Sequence, residues 1–389
     1  MAREKKSAAP APAPTTIRAL GDDLLREVFL RLPSLPSLVR AALTRPAFLR
    51  AVRSSPAFRR RFRDLHPAPL LGFFLYIHNH VMPAFLPVRR RSDPDHAAAV
   101  RGADVFLTRV PLDEEEDEGQ VEYADDPGWL MNGCRDGYVV LFYSLSHRAA
   151  VYDPLTRRPH LLSVPLEEIF GELPGETVVG LEFHVVTSEE DHRPLRVICI
   201  CTEMGAPRVA VFSPDTREWQ ISSDAGSLQL PAGDSGTVVN GCVYWASAAD
   251  IHVLNTATLH FSRIDPPPHM QDAGVKVGET SDGKLCVAWA TGLMLKVWVR
   301  RAATAGVDEW MPDTEKWMLD AIDELELPFE YECPELEVVA IIGGIVYLST
   351  YVASQPSSRW FLSFCTETEE LEVVCPTSWR GLLFWYAIR

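Results

Sequence analysis

The spacing of apolar residues changes once along the chain, near residue 70. Before it, apolar positions recur at helical spacing; after it, they fall in short β-type runs. Leu24, Leu25, Val28, Phe29 and Leu32 stand at i, i+1, i+4, i+5 and i+8, one face of a helix. Asp22 and Asp23 occupy its first turn, where the helix dipole favours carboxylates, and Pro33 is expected to stop it. A short second helix holds Leu35, Leu38, Val39 and Ala42, and a third follows Pro46 with Phe48, Leu49 and Val52. The fourth is the best marked, with Ser55 as N-cap and Pro56 at its first position. Its apolar face is Phe58, Phe62 and Leu65, and Arg59, Arg60, Arg61 and Arg63 cover the rest. Three or four short helices make a thin core, and such a module needs a partner or neighbouring domain to cover its remaining apolar face. Residues 1–16, rich in Ala, Pro, Ser and Thr, cannot bury apolar surface and are expected to be a disordered tail.

From 70 onward a turn pattern recurs five times: an apolar pair, a small or polar residue, a turn, Thr, and usually a large apolar residue three positions on. It reads Tyr152-Asp153-Pro154-Leu155-Thr156, Phe212-Ser213-Pro214-Asp215-Thr216 with Trp219, and Leu254-Asn255-Thr256-Ala257-Thr258 with Phe261. Met311-Pro312-Asp313-Thr314 with Trp317 and Phe364-Cys365-Thr366-Glu367-Thr368 with Leu371 complete the set. The Thr positions step by 60, 42, 56 and 54. A second marker, a Gly opening an alternating run, appears at Gly133, Gly180, Gly241, Gly283 and Gly344, stepping by 47, 61, 42 and 61. Two markers with one period of about 53 describe a several-stranded unit the size of a propeller blade. The expected architecture is therefore all-α over residues 17–66, then an all-β repeat domain over 70–389, a β-propeller of about six blades, with six to eight allowed. Leu70–His80 and Asp104–Val110 are expected to give strands of the first unit, and Gly381–Arg389 to return and complete it. The acidic run Asp113–Glu118 fits a solvated loop.

Charge sharpens the division. Residues 1–66 carry 14 Lys+Arg and 5 Asp+Glu, a net of +9, whereas the remainder nets −25 out of an overall −16 in 389 residues. A basic module suits an acidic partner, and the acidic bulk argues against a nucleic-acid or anionic-membrane binder. No run approaches 18 apolar residues and no apolar leader is seen, so neither a transmembrane helix nor a secretory signal is expected. The 8 Cys show no disulfide-framework spacing, which favours a reduced compartment, cytoplasmic or nuclear.

Candidate chemistry is thin. Gly278-Glu279-Thr280-Ser281-Asp282-Gly283-Lys284-Leu285 approaches a phosphate-binding loop, but Leu285 stands where Ser or Thr must reach magnesium and the following run is β-type. Asp282-Gly283 fits a hairpin turn better. Gly233-Asp234-Ser235-Gly236 is similar to a protease nucleophile loop, yet no His or Asp has the matching context. Cys199 and Cys201 share a strand face but are one pair, too tightly spaced for zinc. His78 and His80 share a strand face, and His66 and His160 sit beside prolines, as in loops. Trp219, Trp245, Trp298, Trp317 and Trp360 read mostly as packing aromatics, with one or two free to line a binding face. No catalytic centre, cofactor or metal site is expected.

The segment Leu20-Gly21-Asp22-Asp23-Leu24-Leu25-Arg26-Glu27-Val28-Phe29-Leu30-Arg31-Leu32-Pro33 resembles the opening of the F-box. Ser37–Ala42 and Phe58–Phe62 are similar to plant F-box proteins, and Leu65–Phe74 resembles their junction with a kelch-like F-box-associated β domain. Gly21 replaces the family's usual Pro, and no Trp follows Arg45. The resemblance implies a substrate-recognition subunit of an SCF-type (cullin-RING) ubiquitin ligase. In it the box docks on a Skp-type adaptor, and through it a cullin, while the β domain captures a protein substrate. Carried onto this chain, the adaptor-facing candidates are Leu20, Leu24, Leu25, Val28, Leu30, Leu32, Pro33 and Leu38. Each Leu has a second reading as core of the helical module, which spacing alone leaves open. The alternatives are a scaffold acting outside a ligase, a propeller enzyme, and a DNA-binding regulator using the Arg-rich helices.

Overall fold

In the computed structural model, four helices follow the apolar stripes at the start of the chain: α1 Asp22–Phe29, α2 Leu35–Leu43, α3 Pro46–Arg53 and α4 Pro56–Leu65. The structure describes residues 17, 20–33, 35–66, 71–75, 83–87, 100, 103–111, 128–135, 138–144, 146–154, 157–170, 180–186, 196–201, 207–213, 215–222, 230–231, 235–247, 249–270, 274–302, 308–318, 321–322, 324–325, 335–351, 359–377 and 385–388. The expected tail 1–16, His78, His80 and Asp113–Glu118 lie outside them. The chain divides into two units, Met1–Pro69 and Leu70–Arg389.

In the helical unit, α1 ends at Phe29 rather than at Pro33. Leu30 N–H still bonds Arg26 O at 2.9 Å, then Arg31 and Leu32 close tighter turns onto Val28 and Phe29. The residue before a proline avoids the α region, so the helix tightens and stops early. Ser55 caps α4 as expected, its Oγ accepting from Phe58 N–H at 3.2 Å. Leu25, Phe29, Leu30, Leu38, Phe48, Ala51, Phe58 and Phe62 form the core, with Phe29 edge-on to Phe48. Leu65, expected on the buried face of α4, is instead 54% exposed. The buried stripe continues from Phe62 to His66, whose ring lies 4.4 Å from that of Phe62 and whose Nε2 donates to Leu30 O at 3.1 Å. His66 is thus a foot of the helix, not a free loop residue. Arg26 fastens α1 to α3 by bonds to Ala51 O and Ser54 Oγ.

The second unit is a succession of antiparallel meanders. The first is β3 Trp129–Arg135, β4 Tyr138–Tyr143, β5 Arg148–Asp153 and β6 Arg158–Ser163. After a short helix, α5 Leu166–Phe170, come β7 Leu181–Val186, β8 Arg196–Cys201, β9 Arg208–Ser213 and β10 Glu218–Ser222. The third is β11 Thr237–Val239, β12 Cys242–Ala246, β13 Ile251–Asn255 and β14 Phe261–Ile264. Two further meanders, β15 Lys276–Glu279, β16 Leu285–Thr291, β17 Met294–Ala302, β18 Asp308–Trp317, and β19 Glu335–Ile342, β20 Ile345–Tyr351, β21 Arg359–Cys365, β22 Leu371–Thr377, join into an eight-stranded sheet. The last strand, β23 Trp385–Ile388, pairs with β1 Gly72–Leu75, which also pairs with β2 Ala84–Pro87. The layout is propeller-like: meander follows meander, each burying a face on the next.

The cores lie between these sheets. Phe142, Val151 and Leu162 pack with Phe183, Val197 and Cys199 between the first and second meanders. Ile198, Val209 and Val211 pack with Val243 and Trp245 between the second and third. Val239 and Ile251 meet Val277 and Trp289, and Leu295 and Val297 meet Val338 and Leu362. On β1, Phe73 packs with Tyr347 and Phe361, and Phe74 packs with Trp129 and Leu141. Strands β4, β5 and β8 are buried on both faces, whereas β6, β10 and β14 lie largely in solvent.

The recurring Thr pattern is a turn between the third and fourth strand of a meander. Arg157, Arg217, Leu259 and Glu369 all adopt a left-handed φ of 56–59°, and each N–H reaches the carbonyl four residues back. The copy at Met311–Trp317 departs: it lies inside β18. That strand is outermost, so Pro312, which has no N–H, costs no ladder bond, and a register shift opposite Val297 and Trp298 absorbs the extra residue. Gly241 and Gly344 open the first hairpin of their meanders, but Gly133 sits inside β3 at a register shift and Gly180 precedes β7. Asp104–Val110, expected as a strand, is a series of turns held by the buried Asp104 carboxylate, which accepts from Thr108 N, Thr108 Oγ1 and Tyr152 OH. His160 is on β6, not in a loop.

The joint within the eight-stranded sheet is a single parallel pairing of Gly278 with Ile341. A Cβ on Gly278 would stand 2.3 Å from Ile341 O and 2.4 Å from Ile341 Cβ. Gly278→Ala should therefore lower stability by about 1–3 kcal/mol through forced separation of β15 from β19. All 10 Trp lie in the β unit, so urea unfolding followed by Trp fluorescence reads this directly; an unchanged midpoint would contradict the close approach.

Candidate functional site

The helical unit sorts its apolar residues by exposure. Leu25, Leu30 and Leu38 are buried in its core. Leu20 and Leu32 are half-buried against that core, and Pro33 is exposed. Leu24 is 58% exposed and Val28 39% exposed, at i and i+4 on α1. Of the eight adaptor-facing candidates, Leu25, Leu30 and Leu38 are therefore core residues, since their surfaces are already spent on Phe29, Phe48 and Phe58. Leu24, Val28 and Pro33 are offered to solvent. Leu43 and Leu65 are also exposed, and a shallow groove of about 430 Å³ on α3 is bordered by Pro46, Leu49, Arg50 and Arg53.

Among the described residues of the β unit, one polar cluster is buried at Glu182. Glu182 on β7 accepts from Gly236 N at 2.8 Å, Trp245 Nε1 at 3.1 Å and His184 Nε2 at 3.2 Å. This ties β7 to the meander that begins at β11. Gly236 belongs to the protease-like loop, and the nearby His184 bonds to Glu182 rather than to Ser235. Asn132 on β3 works similarly, donating to Leu181 O at 2.8 Å and accepting from Phe183 N at 2.6 Å. These cross-sheet ties were missed in the sequence, where a lone Glu or Asn inside an apolar run gives no partner.

Burial pushes the thiols of Cys134, Cys199 and Cys286 well up, which keeps them protonated. Cys199 and Cys201 are buried core residues, as the single tight pair suggested. In the phosphate-loop look-alike, Leu285 opens strand β16, Gly283 turns at φ 75°, and Lys284 is ion-paired with Asp282. Trp245 is buried, Trp219, Trp298 and Trp360 are half-buried, and the side chain of Trp317 is outside the described set. Among the described residues, no group of three or more His, Cys, Asp or Glu is placed to hold a metal, and no helix is long and apolar enough to cross a membrane.

A second surface lies at the rim, in an open groove of about 690 Å³ between the first two meanders. Its walls include His147, Ser163, Pro165, Glu168, Glu218 and Trp219.

No protein-family model and no curated protein matches the chain. Among solved structures it is similar to a chain of the nidogen/laminin complex, at 11% identity over 82% of this chain and 99% of that one, with a TM-score of 0.41. A quinonprotein alcohol dehydrogenase-like protein from Bacteroides thetaiotaomicron matches at 10% identity over 82% and 78%, TM-score 0.41. A luciferin-regenerating enzyme matches at 10% over 64% and 76%, TM-score 0.36. Likeness at this level carries no activity over to this chain.

Glu182→Ala strands the Trp245 and Gly236 donors and should cost roughly 2–4 kcal/mol in urea unfolding; a loss below 0.5 kcal/mol, on the order of an exposed substitution, would show that Glu182 ties nothing. His252 on β13 is buried, and its Nδ1 has no hydrogen-bond partner. Burial lowers its pKa below 6.5, nearby Asp250 opposes the shift, and Arg263 adds to it. The unfolded chain therefore binds the proton more readily, so stability falls as pH drops through about 6.5. His252→Leu should flatten this fall between pH 7 and 5, by up to about 1.4 kcal/mol per pH unit; parallel pH profiles for both proteins would refute it.

Proposed function

We propose that the chain is the substrate-recognition subunit of an SCF-type ubiquitin ligase. Its helical unit docks on a Skp-type adaptor, and through it on a cullin, while its β unit holds a protein target. The observation that carries this reading is the outward pair Leu24 and Val28 on α1, the helix whose sequence resembles the F-box opening. With 58% of Leu24 and 39% of Val28 still open to solvent, the two side chains gain roughly 0.5–1.5 kcal/mol each on burial against a partner. The +9 charge of residues 1–66 fits an acidic adaptor surface and would speed encounter with it.

For the β unit we propose a closed six-bladed propeller. The five meanders, the sheet formed by β1, β2 and the returning β23, and the cores that link each sheet to the next support it. In this role the chain supplies no catalytic group. It acts by holding the target near the conjugating enzyme, which converts an encounter between two proteins into a local one. The reading places the chain in the cytoplasm or nucleus.

The test is co-purification of the full chain with a Skp-type adaptor, beside a Leu24→Asp/Val28→Asp variant. Both positions are exposed, so the variant should fold, with an unchanged circular dichroism spectrum. The wild-type chain should give a one-to-one complex and the variant at least a tenfold weaker one. A well-folded wild-type chain that forms no complex would overturn the ligase reading, and full binding by the variant would remove α1 from the interface.

A further inference from the structure

The rim groove has a composition that selects for one kind of guest. Glu168 on α5 and Glu218 on β10 stand exposed on its walls, Trp219 is half-buried against the core, and among the described residues no Lys or Arg lines it. The walls are held in place before any ligand arrives. Trp219 Nε1 donates to Ser163 O at 2.9 Å, joining β10 to the end of β6, and the Trp219 ring packs 5.4 Å from Phe212. Val164 N donates to His147 O at 2.9 Å, and Leu166 and Ile169 bury α5 into the core beneath. With its N–H satisfied, the indole has only its face left to offer, and that face attracts cations.

We infer that this groove is a docking site for an Arg- or Lys-bearing extended segment of a protein target, the cationic side chain lying against Trp219 and paired with Glu168 and Glu218. An anionic guest would meet two carboxylates, and a purely apolar one would strip them of water without compensation. A guanidinium satisfies both features, since it stacks on aromatic rings and bonds carboxylates in a fork. The surrounding unit nets −25 outside residues 1–66, which steers a basic segment towards it. The inference deepens the receptor reading by giving the chemistry of the target. Its test involves no adaptor, so its failure and the failure of that reading are distinguishable.

The experiment pans a displayed random dodecapeptide library against the immobilised full chain, a Glu168→Lys/Glu218→Lys variant, and a Glu309→Lys/Glu372→Lys variant with the same charge change on exposed strand positions elsewhere. The best peptide is then synthesised with and without its Arg and Lys residues replaced by Gln, and titrated with spermine as competitor. Arg- or Lys-rich peptides should be enriched on the wild-type chain. Their affinity should fall at least tenfold in the groove variant and in the Gln peptide, and less than threefold in the distant variant. Absence of basic enrichment, or equal loss in both variants, would overturn the groove as the site. Displacement by spermine at concentrations equal to the peptide would reassign it to a free polyamine. A wild-type dimer that dissociates in the groove variant would assign it to a second copy's basic helical unit.

Discussion

A β-meander has two faces, and in this protein both faces of β4 and of β8 are covered by neighbouring sheets. Val139, Val140, Leu141 and Phe142 on β4 are all buried, as are Ile198 to Cys201 on β8. That constraint explains why these strands read as continuous apolar runs rather than alternating ones. It also leaves little room for chemistry inside. A charge placed there must be fully bonded, and Asp104 and Glu182 each meet the requirement with three donors. Their effect is to fix a turn or join two sheets. Outward-looking chemistry falls to the outer strands and connections, where Glu168, Glu218 and Trp219 sit.

The repeat was legible because its two sequence markers fall in turns that meet in two of the meanders, through threonines two positions before the marker Thr258 and Thr368. Thr256 donates through both its N–H and its Oγ1 to Gly241 O, and Thr366 does the same to Gly344 O. In these two meanders the first and third turns are thus bonded to one another. Legibility failed where the same residue types met a different constraint. Met311-Pro312-Asp313-Thr314 has turn chemistry, but on an outer strand with a bulge the chain runs straight through it. Asp104–Val110 has strand-like residues, yet a buried carboxylate curls it into turns. The rim groove could not be read at all: Ser163 and Trp219 are 56 positions apart and meet only through the packing of successive sheets.

The helical unit follows the opposite logic. Its helices were readable to within a few residues because caps, prolines and i, i+4 stripes are local signals. Which of two adjacent leucines faces inward was not. Leu24 and Leu25 are neighbours in sequence, and only the position of Phe29, Phe48 and Phe58 decides that Leu25 is core and Leu24 is free. A small core leaves such residues outside, and the proposed function gives them a use, in a thin module completed by its partner.

Backbone amide hydrogen exchange of the full chain, with and without a purified Skp-type adaptor, tests that division of labour most directly. The account predicts slowed exchange across residues 22–33 on adding adaptor, with the β strands unchanged. Unchanged exchange in α1, or protection confined to the β unit, would contradict it.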